Sequence, residues 1–169
     1  MQNVGALITG NGTVIVGVIA AIVAIWGVVT QRIIARRRAT MDALFSTEAD
    51  GDLLEARKMF RNLQKEPGGL AQWADADKAG SDQAGAIYIT LNQHELIAIG
   101  IQRGILDLEI YSRWNKSSVM QTWDKSAPFV LALRERLKNH EIYCEFEALA
   151  FRLSHRKRRR WSRWRGLFF

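Results

Sequence analysis

The stretch TVIVGVIAAIVAIWGVV (13–29) holds seventeen residues without a formal charge, and its reading decides how the rest of the chain is understood. A helix rises about 1.5 Å per residue, so roughly 20 apolar residues cross the ~30 Å hydrocarbon core of a bilayer. Together with the milder apolar run that begins at Val4, the segment is long enough to span. Its apolar residues run all round the cylinder, whereas a helix that packs on a globular core carries one apolar stripe. Trp26 lies near the C-terminal end, where an indole sits at the interface with its N–H hydrated. A cleavable leader would place positive charge before the apolar run and small residues at a cleavage site after it. Here MQNVGALITG contains no Lys or Arg, and Arg32, Arg36, Arg37 and Arg38 follow the run. The expectation is a retained transmembrane anchor over 1–31 and a basic juxtamembrane helix over 32–40. The positive-inside bias then places the N-terminus outside and the remainder in the cytoplasm.

Charge along the chain supports the same division. The 169 residues are 48% apolar, which excludes a disordered chain, and 24 Lys+Arg against 17 Asp+Glu give a net +7. Taken whole, that total suggests nucleic acid as a partner. Placed by position, +4 falls in 32–38, −4 in the body 41–154 and +7 in 155–169. The single Cys144 allows no disulfide within the chain, in keeping with a reducing compartment.

Beyond residue 40, apolar positions recur at spacings of three and four, and strand-like alternation is scarce. The fold class is therefore all-α: one N-terminal transmembrane helix followed by a compact cytoplasmic bundle of about five or six helices, over 41–154. The anchor helix is expected to continue through ARRRATMDALF. Asp52 is expected to cap a second helix, with Leu53, Ala56, Phe60 and Leu63 on one face, ended by Pro67–Gly68–Gly69. Residues 84–102 form the central, most buried helix, closed by a tight turn at Gly104. After that turn the periodicity predicts a short helix over ILDLEIYSRW and another capped by Ser117–Ser118. Pro128 in a first turn restarts the backbone as a third. A last helix, from Glu141 onward, carries Ile142, Phe146, Leu149 and Leu153 on one stripe.

Two groups of residues stand out as candidate sites. Asn92, His94 and Glu95 lie in apolar surroundings and are followed by Arg103 and Asp107, so these five are expected to form a buried polar cluster. The cluster is either a structural network fixing how the central helix meets the Gly104 turn or a pocket with Glu95 as proton acceptor. The structural form is preferred, because a carboxylate on a buried face needs a cation or a hydrogen-bond donor whatever its function. The tail HRKRRRWSRWRGLFF (155–169) interleaves Arg156, Lys157, Arg158, Arg159, Arg160, Arg163 and Arg165 with Trp161, Trp164 and Phe168. Aromatic rings at headgroup depth and cations on anionic lipid suit an interfacial segment, and the same residues suit phosphates and bases of a nucleic acid. Lipid is preferred because the expected topology puts a membrane within reach, and Trp26, Arg32 and Arg36 to Arg38 are assigned to the same surface. His94–Glu95 lacks the second histidine of a zinc-protease helix, and Ala98 stands where it would be. Cys144 is expected as a small core residue. No catalytic constellation, no metal ligand set and no cofactor motif is expected.

RRRATMDALF (36–45), LNQHELIAIGIQRGILDLEIY (91–111), the neighbourhoods of Trp114 and Trp123, and YCEFEALAFR (143–152) together resemble an uncharacterised family, a domain of unknown function. Its members are short bacterial, prophage and phage proteins with an N-terminal membrane helix and a helical cytoplasmic domain. The resemblance implies that architecture and the bacterial inner membrane, and it carries no activity. The function expected is a non-catalytic accessory subunit or tethered binding module whose partner is another membrane or cytoplasmic protein. A prophage-encoded superinfection-exclusion or defence factor is the alternative, and an enzyme centred on Glu95 comes after it.

Overall fold

The computed structural model describes residues 3–155, with side chains from residue 14 onward, and its first element is a helix of 47 residues, α1 (Asn3–Ala49). No proline precedes Pro67, so nothing in the sequence forces an earlier break. At 1.5 Å per residue α1 is roughly 70 Å long, more than twice the thickness of a hydrocarbon core. It is long and apolar enough to cross a membrane, and no residue of its most apolar window is buried in the rest of the chain. The second half of the same helix enters the fold. Thr40 and Leu44 are buried, with Ala39 and Ala43 packed partly against the core.

Asp50 turns the chain into α2 (Gly51–Leu63), and its carboxylate accepts the Leu53 N–H at 3.0 Å. The cap is thus Asp50 rather than Asp52, which lies in the first turn of the helix. Asp50 is the residue with extended backbone, the conformation from which a side chain reaches the N–H three residues on. Leu53, Ala56, Phe60 and Leu63 are all buried, as their spacing predicts. Two 3-10 turns (Ala71–Ala74 and Ala76–Lys78) then carry Leu70 and Ala74 into the core. Ser81 caps α3 (Asp82–Gln102) by accepting the Ala84 N–H at 3.2 Å. α3 buries residues all round its circumference and packs between α2 and α5, which makes it the central element.

The largest departure from expectation follows the Gly104 turn. The three expected helices are one, α4 (Leu108–Leu137), with Ser117, Ser118 and Pro128 in its interior. An interior proline costs about 3 kcal/mol through its missing N–H and its clash with the preceding turn. Here Ser126, Phe129, Val130 and Leu133 are buried on both sides of it, against α5 and the first 3-10 turn. That packing holds the helix straight through. Pro128 and Asp124 are both exposed, so the carbonyl left without a donor lies on the wet side.

α4 ends on Lys138 in left-handed conformation (φ 50°), and Tyr143 (φ 58°) turns the chain into α5 (Cys144–His155). The last helix therefore begins three residues later than Glu141, and Ile142 sits half-buried in the turn. Phe146, Leu149 and Leu153 form the buried stripe. Arg134, itself buried, donates from Nε to the Ile142 carbonyl at 2.8 Å and pairs with Glu147 at 2.9 Å, clamping the end of α4 to α5. Among the described residues there are five α-helices and no strand.

Candidate functional site

The residues expected as one polar cluster divide among several places. Glu95 on α3 reaches the first turn of α5, where Oε2 accepts the Phe146 N–H at 2.7 Å and Oε1 the Glu145 N–H at 3.3 Å. The first N–H groups of a helix have no partner within it, and a carboxylate at that end also meets the positive end of the helix dipole. Glu95 is thus a cap supplied from another helix. Asn92, exposed and three residues earlier on the same face, accepts the Tyr143 hydroxyl proton at 2.9 Å. Together they stitch α3 to the turn before α5, not to the Gly104 turn as expected.

His94 is rotated by about 100° from Glu95 around α3, yet it meets the same residue of α5. Its ring stacks on Phe146 with centroids 4.7 Å apart. Burial, helped by the Arg57 charge, lowers its pKa to about 4, so the imidazole is neutral near pH 7. Arg103 is exposed just beyond α3. These positions correct the expected cluster: two of its five members, Asn92 and Arg103, are exposed, and Asp107 is carried away by the turn.

Asp107 joins α4 to α1. Its Oδ1 caps α4 by accepting the N–H groups of Glu109 (2.9 Å) and Ile110 (3.2 Å). Its Oδ2 accepts from the Arg36 guanidinium at 3.0 Å. Its backbone N–H donates to Thr40 Oγ1 at 2.7 Å, and the Thr40 hydroxyl donates to the Arg36 carbonyl at 2.8 Å. Burial pushes the Asp107 carboxyl up, but the two N–H donors and the Arg36 charge outweigh it and hold the group below the ordinary carboxylate range. The turn that makes this approach possible needs both of its glycines. Gly104 has φ +70°, and a Cβ on Gly100 would come within 2.8 Å of Leu106 Cδ1.

Hollows flank this junction. One, of about 720 Å³, is lined by Arg36, Ile101, Leu106, Asp107, Phe151 and Arg152 among others. The other, of about 670 Å³, runs between α1 and α4 over Met41, Phe45, Ile110 and Trp114, with Arg37, Glu48 and Arg113 also in its lining. Phe45 is 66% exposed and Trp114 70%. A third and smaller hollow, about 170 Å³, lies among α2, α3 and α4.

Of the residues expected to meet lipid, Arg36 instead forms the α1–α4 junction and is partly buried, while Arg32, Arg37 and Arg38 are exposed and Trp26 is 71% exposed. Arg156 to Arg160, Trp161, Arg163, Trp164, Arg165 and Phe168 lie outside the described residues. Cys144 is exposed rather than in the core, because the Tyr143 turn sets it on the outer side of α5. Local desolvation, then the carboxylates of Glu95 and Glu145, raise its thiol pKa and keep it protonated. Among the described residues no three His, Cys, Asp or Glu side chains converge on a metal position. Thr40 and Arg134, both central to the joints, gave no signal in the sequence beyond their places beside apolar stripes.

A long apolar helix that runs unbroken into a small helical domain, with its polar residues holding the joints between helices, defines the class of this molecule. Residues 14–153 match the family described as Domain of unknown function (DUF4760), and the chain belongs to it. No curated protein and no solved structure matches the chain. The family match begins within the apolar half of α1 and ends at Leu153, the last buried residue of α5. The matched stretch therefore includes the exposed apolar residues 14–29 of α1.

Proposed function

We propose that the protein is a single-pass inner-membrane protein, N-terminus outside, that holds a helical interaction domain at the cytoplasmic surface as a non-catalytic accessory subunit. The observation that carries this reading is the continuity of α1. The helix whose residues 14–29 touch nothing else is the same helix that Asp107 grips through Arg36 and Thr40. A domain fixed in this way has its orientation set by the anchor, with no flexible linker between them. Three of the polar residues singled out from the sequence are occupied in structural contacts: Glu95 caps α5, Asn92 holds Tyr143 and Asp107 caps α4. The hollow over Met41, Phe45, Ile110 and Trp114 offers exposed apolar surface beside the anchor, and an apolar helix of a partner protein fits that chemistry. The tail is assigned to anionic headgroups, at about 1 kcal/mol per Lys or Arg.

A photo-crosslinker placed at Phe45 in the full chain, in cells, is expected to capture one discrete protein, and the same probe at exposed Leu131 is not. Capture at neither position, with no partner and no self-association recovered in mild detergent, overturns the interaction reading. Deleting 155–169 is expected to weaken binding to anionic vesicles, more so at low salt, and to leave neutral vesicles unaffected.

A further inference from the structure

The hollow among α2, α3 and α4 is built from donors. Each helix contributes a pair of side chains one turn apart: Arg57 and Arg61 from α2, Thr90 and His94 from α3, Ser118 and Thr122 from α4. Gln64 and Gln121 complete the polar wall, Phe60 the apolar one, and no carboxylate lines it. His94 is 5% exposed and contributes one edge of its ring to the wall. The two guanidiniums are lightly committed. Arg57 reaches Glu48 only at 3.4 Å, with that carboxylate half exposed, and no ion pair holds Arg61 among the described residues.

We propose that this hollow is a binding site for a small anion of the phosphate class. Arg57 and Arg61 supply the charge, Ser118, Thr122, Gln64 and Gln121 supply neutral donors, and His94 supplies a ring N–H. Thr90 contributes less, since its hydroxyl proton already goes to the Ala86 carbonyl at 2.8 Å. A volume of about 170 Å³ admits one phosphate group and lies well below the ~300 Å³ at which pockets for larger ligands begin. Charge-assisted bonds from planar guanidiniums suit phosphate oxygens, and the partly closed site strengthens them. The source is a soluble anion rather than a lipid headgroup. Arg57 lies beside Glu48, sixteen residues past Arg32 on α1, which is roughly 24 Å further along the helix axis from the apolar span. His94, neutral near pH 7 in the empty site, gains a reason to hold a second proton when an anion sits beside it.

The test uses the full chain in phosphatidylcholine nanodiscs with labelled histidine, titrated with inorganic phosphate against chloride at constant ionic strength. The chain has three histidines, so the His94 ring is resolvable from His140 and His155. Saturable shifts of the His94 ring signals are expected, with its pKa raised by about one unit in excess phosphate. Arg61→Ala, at an exposed position, is expected to weaken binding about tenfold while helicity is unchanged, and Thr122→Val several-fold. Arg152→Ala, remote from the hollow, leaves the affinity within twofold and separates this site from general attraction of phosphate to basic surface. A His94 signal indifferent to phosphate, or an affinity unchanged in Arg61→Ala, overturns the site. Nanodiscs containing phosphatidic acid and no free phosphate test the source, and a His94 shift with the lipid alone overturns the assignment to a soluble anion.

Discussion

Residues 14–29 and 36–47 are successive turns of one helix, and they differ in which side chains find partners. In the first stretch Val16, Ile22, Ile25 and Trp26 are 60–71% exposed, and nothing in the chain covers them. In the second, the polar Thr40 is 1% exposed, while apolar Phe45 is 66% exposed. Burial along α1 thus follows the availability of a neighbour and not the hydrophobicity of the residue. The first stretch, with apolar surface on every side, needs an apolar surrounding worth about 25 cal/mol for each Å² removed from water. The second needs only the stripe Ala39, Thr40, Ala43 and Leu44, because α4 and α2 meet one side of it.

The contrast breaks most sharply under truncation of equivalent apolar residues. Leu44→Ala is expected to destabilise the domain by about 2–5 kcal/mol through lost burial and a residual cavity. Ile22→Ala is expected to leave domain unfolding unchanged, read by tryptophan fluorescence in denaturant on the full chain in nanodiscs. Equal losses for the two would show that the free half is coupled to the core after all. Next in size is Ile22→Arg, which on the proposed membrane role costs about 2.5–3.5 kcal/mol of insertion. Carbonate extraction is expected to release a larger fraction of it, with domain helicity retained.

A smaller effect tests the junction. Asp107→Ala removes the α4 cap and the Arg36 contact and is expected to cost about 1–2 kcal/mol in the same denaturation experiment. The pH dependence has a definite sign. The folded Asp107 carboxyl titrates below its ordinary value, so its contribution is complete above pH ~4 and is lost as the pH falls through the lower folded value. Acid denaturation of the Asp107→Ala variant is therefore expected to be less steep than that of the parent below pH 4. The smallest effect belongs to Arg113→Ala, whose ion pair with Glu109 is exposed on both sides. A change within about 0.5 kcal/mol is expected there.

Much of the architecture was legible in the chain because it rests on local pattern. The apolar faces of α2 and α5 and the Gly104 turn follow from residue types and spacings that act within one or two turns. The errors came where distant packing overrode a local rule. Pro128 reads as a restart, yet Phe129 and Val130, each 0% exposed, keep α4 continuous across it. Asn92, His94 and Glu95 read as one cluster because they are neighbours in sequence. Helical rotation lays the His94 ring against the Phe146 ring, while Glu95 takes the backbone N–H groups of Glu145 and Phe146. The three-helix hollow had no signature at all, since its pairs at 57/61, 90/94 and 118/122 are each unremarkable alone.

The sequence by itself determined that this chain is helical, that it carries one uncharged stretch long enough to cross a bilayer, and that its net positive charge comes from two short clusters flanking the acidic body 41–154. Those properties are sums over neighbouring residues, and hydrophobicity, charge and helical period act at that range. Tertiary structure alone decided which polar groups meet: Asp107 with Arg36 across 71 positions, Glu95 with Phe146 across 51. A hydrogen bond needs its partners within about 3 Å and correctly aligned, and only the packing of whole helices brings residues so far apart in sequence to that distance.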